Sequence, residues 1–165
     1  MIGSIQDSLC GYNAALFTST PIGQTMRIKQ IHPKFKLPIK STQGAGAFDI
    51  YMPESGSVFG NVPTPVPLGF AAKVPDGHVA LIFPRSGVGT RDGLELNNTC
   101  GIIDSDYLGE WKAFLRTKSG KHFSWNADDR VLQFLIVPVS NETLELADDL
   151  GESSRGSGGF GSTGK

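Results

Sequence analysis

Val131-Leu-Gln-Phe-Leu-Ile-Val-Pro-Val139 is the stretch on which the fold turns. It is rich in β-branched residues, is interrupted by Gln133, and carries a proline near its end. A proline in that place breaks a helix and closes a strand. The stretch therefore predicts a strand ending near Pro138. Gln133 inside it needs a polar partner, and a backbone group at an edge strand would supply one.

The flanking sequence repeats the pattern. Val79, Leu81 and Phe83 alternate with Ala80 and Ile82 before Pro84, as a strand with one more deeply buried face would. Trp111-Lys-Ala-Phe-Leu-Arg116 is another short segment of this kind. Asp76-Gly77 and Ser119-Gly120 read as turns. With 21 Gly and 10 Pro bounding such segments, the chain reads as all-β, a jelly roll or barrel with at most one short helix. Leu144, Leu146 and Leu150 fit either a helical or a strand period. The Pro-rich stretch Val58-Phe-Gly-Asn-Val-Pro-Thr-Pro-Val-Pro67 is expected to form a surface loop.

A chain of 165 residues fits one domain with a sizeable core. Its net charge of −1 gives no electrostatic footprint for nucleic acid, and no apolar run reaches membrane-spanning length. The first Lys or Arg is Arg27, so residues 1–25 lack a secretory or transit pattern. Cys10 and Cys100 are expected to be reduced, in a cytoplasmic protein (the host cytoplasm if the source is viral). Residues 1–25 are weakly patterned and read as an extension ahead of the core, with Met26 a candidate start and the extension a candidate contact for a protein partner.

Several segments carry candidate chemistry. Arg155-Gly-Ser-Gly-Gly-Phe-Gly-Ser-Thr-Gly-Lys165 combines a guanidinium, one aromatic ring and the hydroxyls of Ser162 and Thr163 on a backbone free to wrap a ligand. In Phe83-Pro-Arg-Ser-Gly-Val-Gly-Thr-Arg91, Pro84 ends a strand and Ser86-Gly87 opens a short helix. That segment reads either as an anion site beside Arg85 or as a capping turn with Ser86 at its head. Asn98 and Gly109 bracket an apolar strand at Ile102-Ile103 and then Asp104 and Asp106. On a strand those acids would share a face for metal or base work; on a loop they would be turn chemistry. Asp49, in Gly46-Ala-Phe-Asp-Ile50, is a carboxylate in an apolar strand that must be hydrogen-bonded or functional.

Taken in order, these segments resemble the five signature motifs of the homotrimeric dUTPase family. Gly46 to Ile50 is similar to the first motif, Pro84 to Gly89 to the second and Gly101 to Gly109 to the third. Arg130-Val-Leu-Gln133 is similar to the fourth and Arg155 to Gly164 to the fifth, so the resemblance runs from about Met26 to Lys165. It implies a β jelly roll of the β-clip type that assembles as a trimer with shared active sites. Residues 26–150 would be the catalytic domain and 151–165 a lid arm donated by a neighbouring subunit. It implies hydrolysis of dUTP to dUMP and pyrophosphate with Mg²⁺, limiting uracil in DNA and supplying dUMP for dTMP synthesis.

By motif position, Asp104 would be the general base and Tyr107 the ring that packs on deoxyribose. Asn98 would read uracil, with backbone groups between Gly101 and Tyr107, Ile103 among them. Arg85, Ser86 and Gly87 would bind phosphate, and Gln133 would hold phosphate or water. Asp49 would reach the metal only through water, with no direct protein ligand. Arg155 would meet the γ-phosphate, Phe160 would cover the base, and Gly161, Ser162 and Thr163 would complete the lid. Ala47 stands where the family usually has Gly, Asp128 where Gly is common, and Leu68 where Thr is frequent. Ala47 needs a negative φ, and Asp128 should tolerate a left-handed turn. The alternatives are a dCTP deaminase of the same fold and a dUTP-responsive module that binds a protein partner.

Overall fold

The computed structural model describes residues 25–118 and 120–159. The strands are β1 Arg27–Gln30, β2 Phe48–Tyr51, β3 Gly56–Phe59, β4 Thr64–Pro67, β5 Phe70–Lys73 and β6 His78–Pro84. They continue with β7 Leu94–Leu96, β8 Gly101–Ile103, β9 Lys112–Thr117, β10 His122–Trp125 and β11 Arg130–Pro138. The helix among the described residues is one short turn, Ser86-Gly87 running into a π-helical Val88–Asp92.

All pairings are antiparallel. The sheets run β2-β11-β6-β8, β4-β9-β7, β1-β5 and β3-β10. The opening stretch is β11, and it ends at Pro138 as expected. It is not an edge strand, however: β2 lies on one side and β6 on the other. Gln133 therefore finds its backbone partner across the sheet, with Nε2 donating to the Pro84 carbonyl at 3.3 Å.

Alternation decides which side chains enter the core. Ala80 and Ile82 of β6 are fully buried, while Val79 and Leu81 are only half-buried. Ala113, Leu115 and Thr117 of β9 point inward, and Lys112 and Phe114 outward. At the centre Trp111 packs on Phe70 and edge-on against Phe134, with ring centroids 5.0 and 5.2 Å apart. Leu68 is fully buried in this core, which accounts for an apolar residue at that position. The adjoining Gly69 has φ 77°, and a Cβ there would lie 2.8 Å from His32 Cβ.

The Pro-rich stretch is not a loop. Its start belongs to β3, and its end is β4, paired through Pro65↔Phe114 and Pro67↔Lys112. β4 is the outer strand of its sheet, where a residue without an N–H costs no ladder bond. Asp128 has φ 72°, with its N–H donating to the Met52 carbonyl at 2.8 Å, and Ala47 is not among the positive-φ residues.

After Pro138 the described chain carries no strand. Leu144, Leu146 and Leu150 adopt neither period and are fully exposed. Of the two turn signals, Asp76-Gly77 turns with Gly77 at φ 72°, while Ser119 lies outside the described residues. Among the described residues no helix is long and apolar enough to cross a membrane.

Candidate active site

Asp49 organises a cleft at one end of the β2-β11-β6 sheet. The β2 backbone directs this carboxylate inward, where it is only 6% exposed. An isolated charge so buried would be costly, and two guanidiniums offset that cost. Arg85 Nε is 3.1 Å from Oδ1, and Arg130 Nη1 is 3.2 Å from Oδ2. Ser41 Oγ donates to Oδ2 at 2.7 Å.

Arg85 is held from a second side. Its Nη1 donates to the Arg130 carbonyl at 3.1 Å, and its backbone N–H to the Val131 carbonyl at 3.0 Å. Gly89 N–H closes the helical turn on the Arg85 carbonyl at 2.9 Å. β11 thus fixes the guanidinium fork of a residue that lines the cleft. Ser86 sits inside the helical turn rather than ahead of it, so it does not cap that turn.

The cleft measures about 670 Å³, and its lining includes Asp49, Arg85, Ser86, Gly87, Arg91 and Gln133. The fold thus brings together the residues of the first, second and fourth segments. Arg91 was not singled out from sequence, although its position on the same turn as Arg85 was the available signal. It pairs bidentately with Asp92 at 2.8 Å for each bond. Hydrogen bonds from Arg91 hold the Asp92 carboxyl below its ordinary range and push the Arg91 guanidinium up.

The third segment lies elsewhere. β8 pairs on β6 through Ile82↔Gly101, Leu81↔Ile102 and Ala80↔Ile103. A Cβ at Gly101 would meet Ile82 Cβ at 3.2 Å, so the close approach of the two strands favours glycine there. Ahead of β8, Asn98 occupies an exposed turn in which Thr99 has φ 68°. Cys100 beside it is a free thiol whose pKa burial pushes up; Cys10 lies outside the described residues.

Asp104 and Asp106 follow β8 in a turn, not on the strand, so they do not share a strand face. Tyr107 N–H closes that turn on the Asp104 carbonyl at 3.2 Å. The Tyr107 ring lies over Gly109, and its hydroxyl donates to the Glu110 carbonyl at 2.9 Å. Asp104 and Tyr107 are exposed, and none of Asn98, Gly101, Ile103, Asp104 and Tyr107 lines the Arg85 cleft. Arg155 lies in an exposed turn, with Nε donating to the Gly158 carbonyl at 2.8 Å. Phe160, Gly161, Ser162 and Thr163 lie outside the described residues.

The donor set suits a metal held chiefly by other groups. Among the described residues no group of three or more His, Cys, Asp or Glu could hold an ion. Asp49 Oδ2 carries two partners and Oδ1 one, which leaves room on Oδ1 for a water.

The family model for dUTPase matches residues 33–164. The chain belongs to the dUTPase family. A deoxyuridine 5'-triphosphate nucleotidohydrolase of Anaeromyxobacter sp. is 38% identical over 139 residues, covering 84% of this chain and 95% of that one. One from Burkholderia mallei is 46% identical over 101 residues, covering 61% and 68%. Among solved structures, a mutant dUTPase of Staphylococcus bacteriophage 80alpha with dUpNHpp superposes with a TM-score of 0.78. It is 20% identical and covers 87% of this chain and all of its own. A mutant dUTPase from phage phi11 of S. aureus, described with a structural Mg(II) ion, gives 0.70 at 18% identity, covering 77% and 99%. These likenesses identify the four antiparallel sheets as the dUTPase jelly roll.

Proposed function

We propose that this member of the dUTPase family hydrolyses dUTP to dUMP and pyrophosphate. The observation that carries the reading is the cleft in which a buried carboxylate presents Arg85 beside Ser86, Gly87 and Gln133. A fixed guanidinium beside a hydroxyl and backbone N–H groups matches the phosphates of a nucleoside triphosphate. The shared activity named in the relatives supplies the nucleotide.

In this reading Arg85 and the Ser86-Gly87 turn bind the phosphate chain. The Ser86 hydroxyl steadies the oxygen between the α- and β-phosphates, where charge develops as that bond breaks. Gln133, already donating to the Pro84 carbonyl, offers its remaining amide groups to a phosphate or the attacking water. Asp104 takes the proton of the water that attacks the α-phosphorus. Asn98 and the backbone from Gly101 through Ile103 to Tyr107 read uracil. The Tyr107 ring, held over Gly109, leaves no room for a 2′-hydroxyl. Mg²⁺ on the triphosphate would offset its charge and would reach the protein only through water on Asp49.

The base-reading turn and the phosphate cleft are separate within one chain. We infer that they meet across subunits of a homotrimer. Residues 151–165 then close over the site, with Arg155 at the γ-phosphate, Phe160 over the base, and Gly161, Ser162 and Thr163 on the phosphates. The physiological consequences are those of the reaction: less uracil entering DNA, and dUMP for dTMP synthesis.

The test is pyrophosphate release with Mg²⁺ from dUTP, dCTP, dTTP and UTP, for wild type and Asp104→Asn. Selective dUTP turnover lost in the variant is expected. Ammonia release from dCTP would replace the reading with deamination, and no turnover of dUTP would overturn it.

A further inference from the structure

We propose that Ser41 is a positioning residue for the phosphate site, its hydroxyl joining Asp49 to Arg130 so that Arg85 is held in one orientation. The proposal rests on reading the Arg85 cleft as that site. Asp49 carries one guanidinium on each oxygen, yet only Arg85 of the two lines the cleft. Arg130 therefore acts on the site indirectly, through the carboxylate it shares and through the carbonyl that receives Arg85 Nη1.

Ser41 closes this arrangement. Its Oγ lies 2.7 Å from Asp49 Oδ2 and 2.9 Å from Arg130 Nη1, which are 3.2 Å from each other. The direction of its proton follows from the partners. Arg130 has only donors, so the hydroxyl accepts from Arg130 and commits its single proton to Asp49. Alanine can do neither, and threonine can do both.

The bridge matters because Arg130 is about a third exposed and can turn to water, whereas the Asp49 side chain is only 8% exposed and cannot. Without Ser41, Oδ2 relies on that one exposed side chain, and the carboxylate gains freedom to rotate. Oδ1 moves with it, and Oδ1 holds Arg85 Nε. Ser41 itself lines the same cleft with Ala45, Gly46 and Ala47, but its one proton is committed to Asp49, so it fastens that wall to the β2 floor and has no donor left for a phosphate.

The test uses the full chain in four variants: Ser41→Ala, Ser41→Thr, Arg85→Lys, and Ser41→Ala with Arg85→Lys. Calorimetry reads the affinity for inorganic pyrophosphate with Mg²⁺, steady-state kinetics reads dUTP turnover, and thermal melting reads the fold. Ser41→Ala should weaken pyrophosphate binding roughly five- to tenfold, the scale of one ordinary hydrogen bond, because its effect reaches Arg85 only through Asp49. It should raise KM for dUTP by a similar factor with kcat nearly kept, and leave Tm nearly unchanged. Ser41→Thr should restore wild-type affinity. In the Arg85→Lys background the alanine change should add little, because the residue it positions is gone.

The proposal is overturned by additive effects, by Ser41→Thr binding as poorly as Ser41→Ala, by unchanged pyrophosphate affinity, or by a lowered Tm that accounts for the loss. Wild-type protein that binds pyrophosphate but leaves dUTP intact would sink the functional reading and leave the clamp standing. Wild-type protein that binds no pyrophosphate would sink both.

Discussion

The two halves of the candidate site are built differently. At the Arg85 cleft a buried carboxylate, two guanidiniums, a serine and a glutamine make hydrogen bonds that fix one geometry within a single chain. At the turn after β8, Asp104 and Tyr107 are exposed, and the bonds recorded there tie the turn mainly to itself. The first half is pre-organised for a fixed anion. The second is an outward-facing surface that a substrate and a neighbouring subunit would complete. Under the proposed function charge explains the division: binding triphosphate would need cations held in advance, whereas a general base would need a carboxylate free to meet water.

The largest effect should come from the exposed half. Asp104→Asn should lower kcat by roughly 10²- to 10⁴-fold, the range for a lost general base, and leave affinity for a non-hydrolysed dUTP analogue intact. Mixing this variant with Arg85→Lys under subunit exchange sharpens the contrast. If the halves meet across subunits, the mixture regains part of the turnover missing from each parent. A mixture as inactive as its parents would mean that both halves act from one chain.

The interior half should report on stability as well as activity. Asp49→Asn leaves Arg85 and Arg130 adjacent with their shared charge removed. Because both arginines are about a third exposed, we expect a loss of about 2 kcal/mol in urea unfolding, below the range for a fully buried pair. Pyrophosphate affinity should fall with it. Unchanged stability would show that the network is ornamental to the fold.

This contrast also decided what could be read from sequence. β11 and β6 were legible because alternation and terminal prolines are local signals, and Asp49 was legible because a carboxylate among apolar residues needs partners. That β11 lies inside its sheet was not legible, because its neighbours, β2 and β6, come from distant sequence. The Pro-rich stretch misled because proline marks loops and outer strands alike, and only the pairing with β9 tells them apart. Ser41 carried no signal, since its partners lie 8 and 89 residues away. The resemblance named the roles of Asp104 and Tyr107; the fold alone shows that they stand apart from the cleft.

A smaller effect should separate nucleotide selectivity from phosphate binding. A Cβ at Gly109 would lie 2.7 Å from Tyr107 Oη and 2.8 Å from its Cζ, so Gly109→Ala must displace the ring. Discrimination between dUTP and UTP, measured as a ratio of kcat/KM, should fall roughly tenfold, while pyrophosphate affinity stays unchanged. A matching fall in pyrophosphate affinity would mean that the two halves do not act separately.

The smallest effect concerns Arg91, which lines the cleft but is paired to Asp92. Asp92→Asn removes the competing charge and should tighten pyrophosphate binding roughly two- to threefold, fading at high salt as an exposed pair does. Asp76→Asn, which breaks the similar pair with Lys73, is the control and should leave pyrophosphate affinity unchanged, because neither residue lines the cleft. The pH dependence follows from the sign of the shift. Hydrogen bonds from Arg91 hold the Asp92 carboxyl below its ordinary range, so in the wild type the pair persists at neutral pH and is lost only as pH falls through that lowered value. The gain from Asp92→Asn should therefore be constant across neutral pH and vanish in strong acid. A gain that instead varied near pH 7 would show that some other group, and not the Asp92 carboxylate, restrains Arg91.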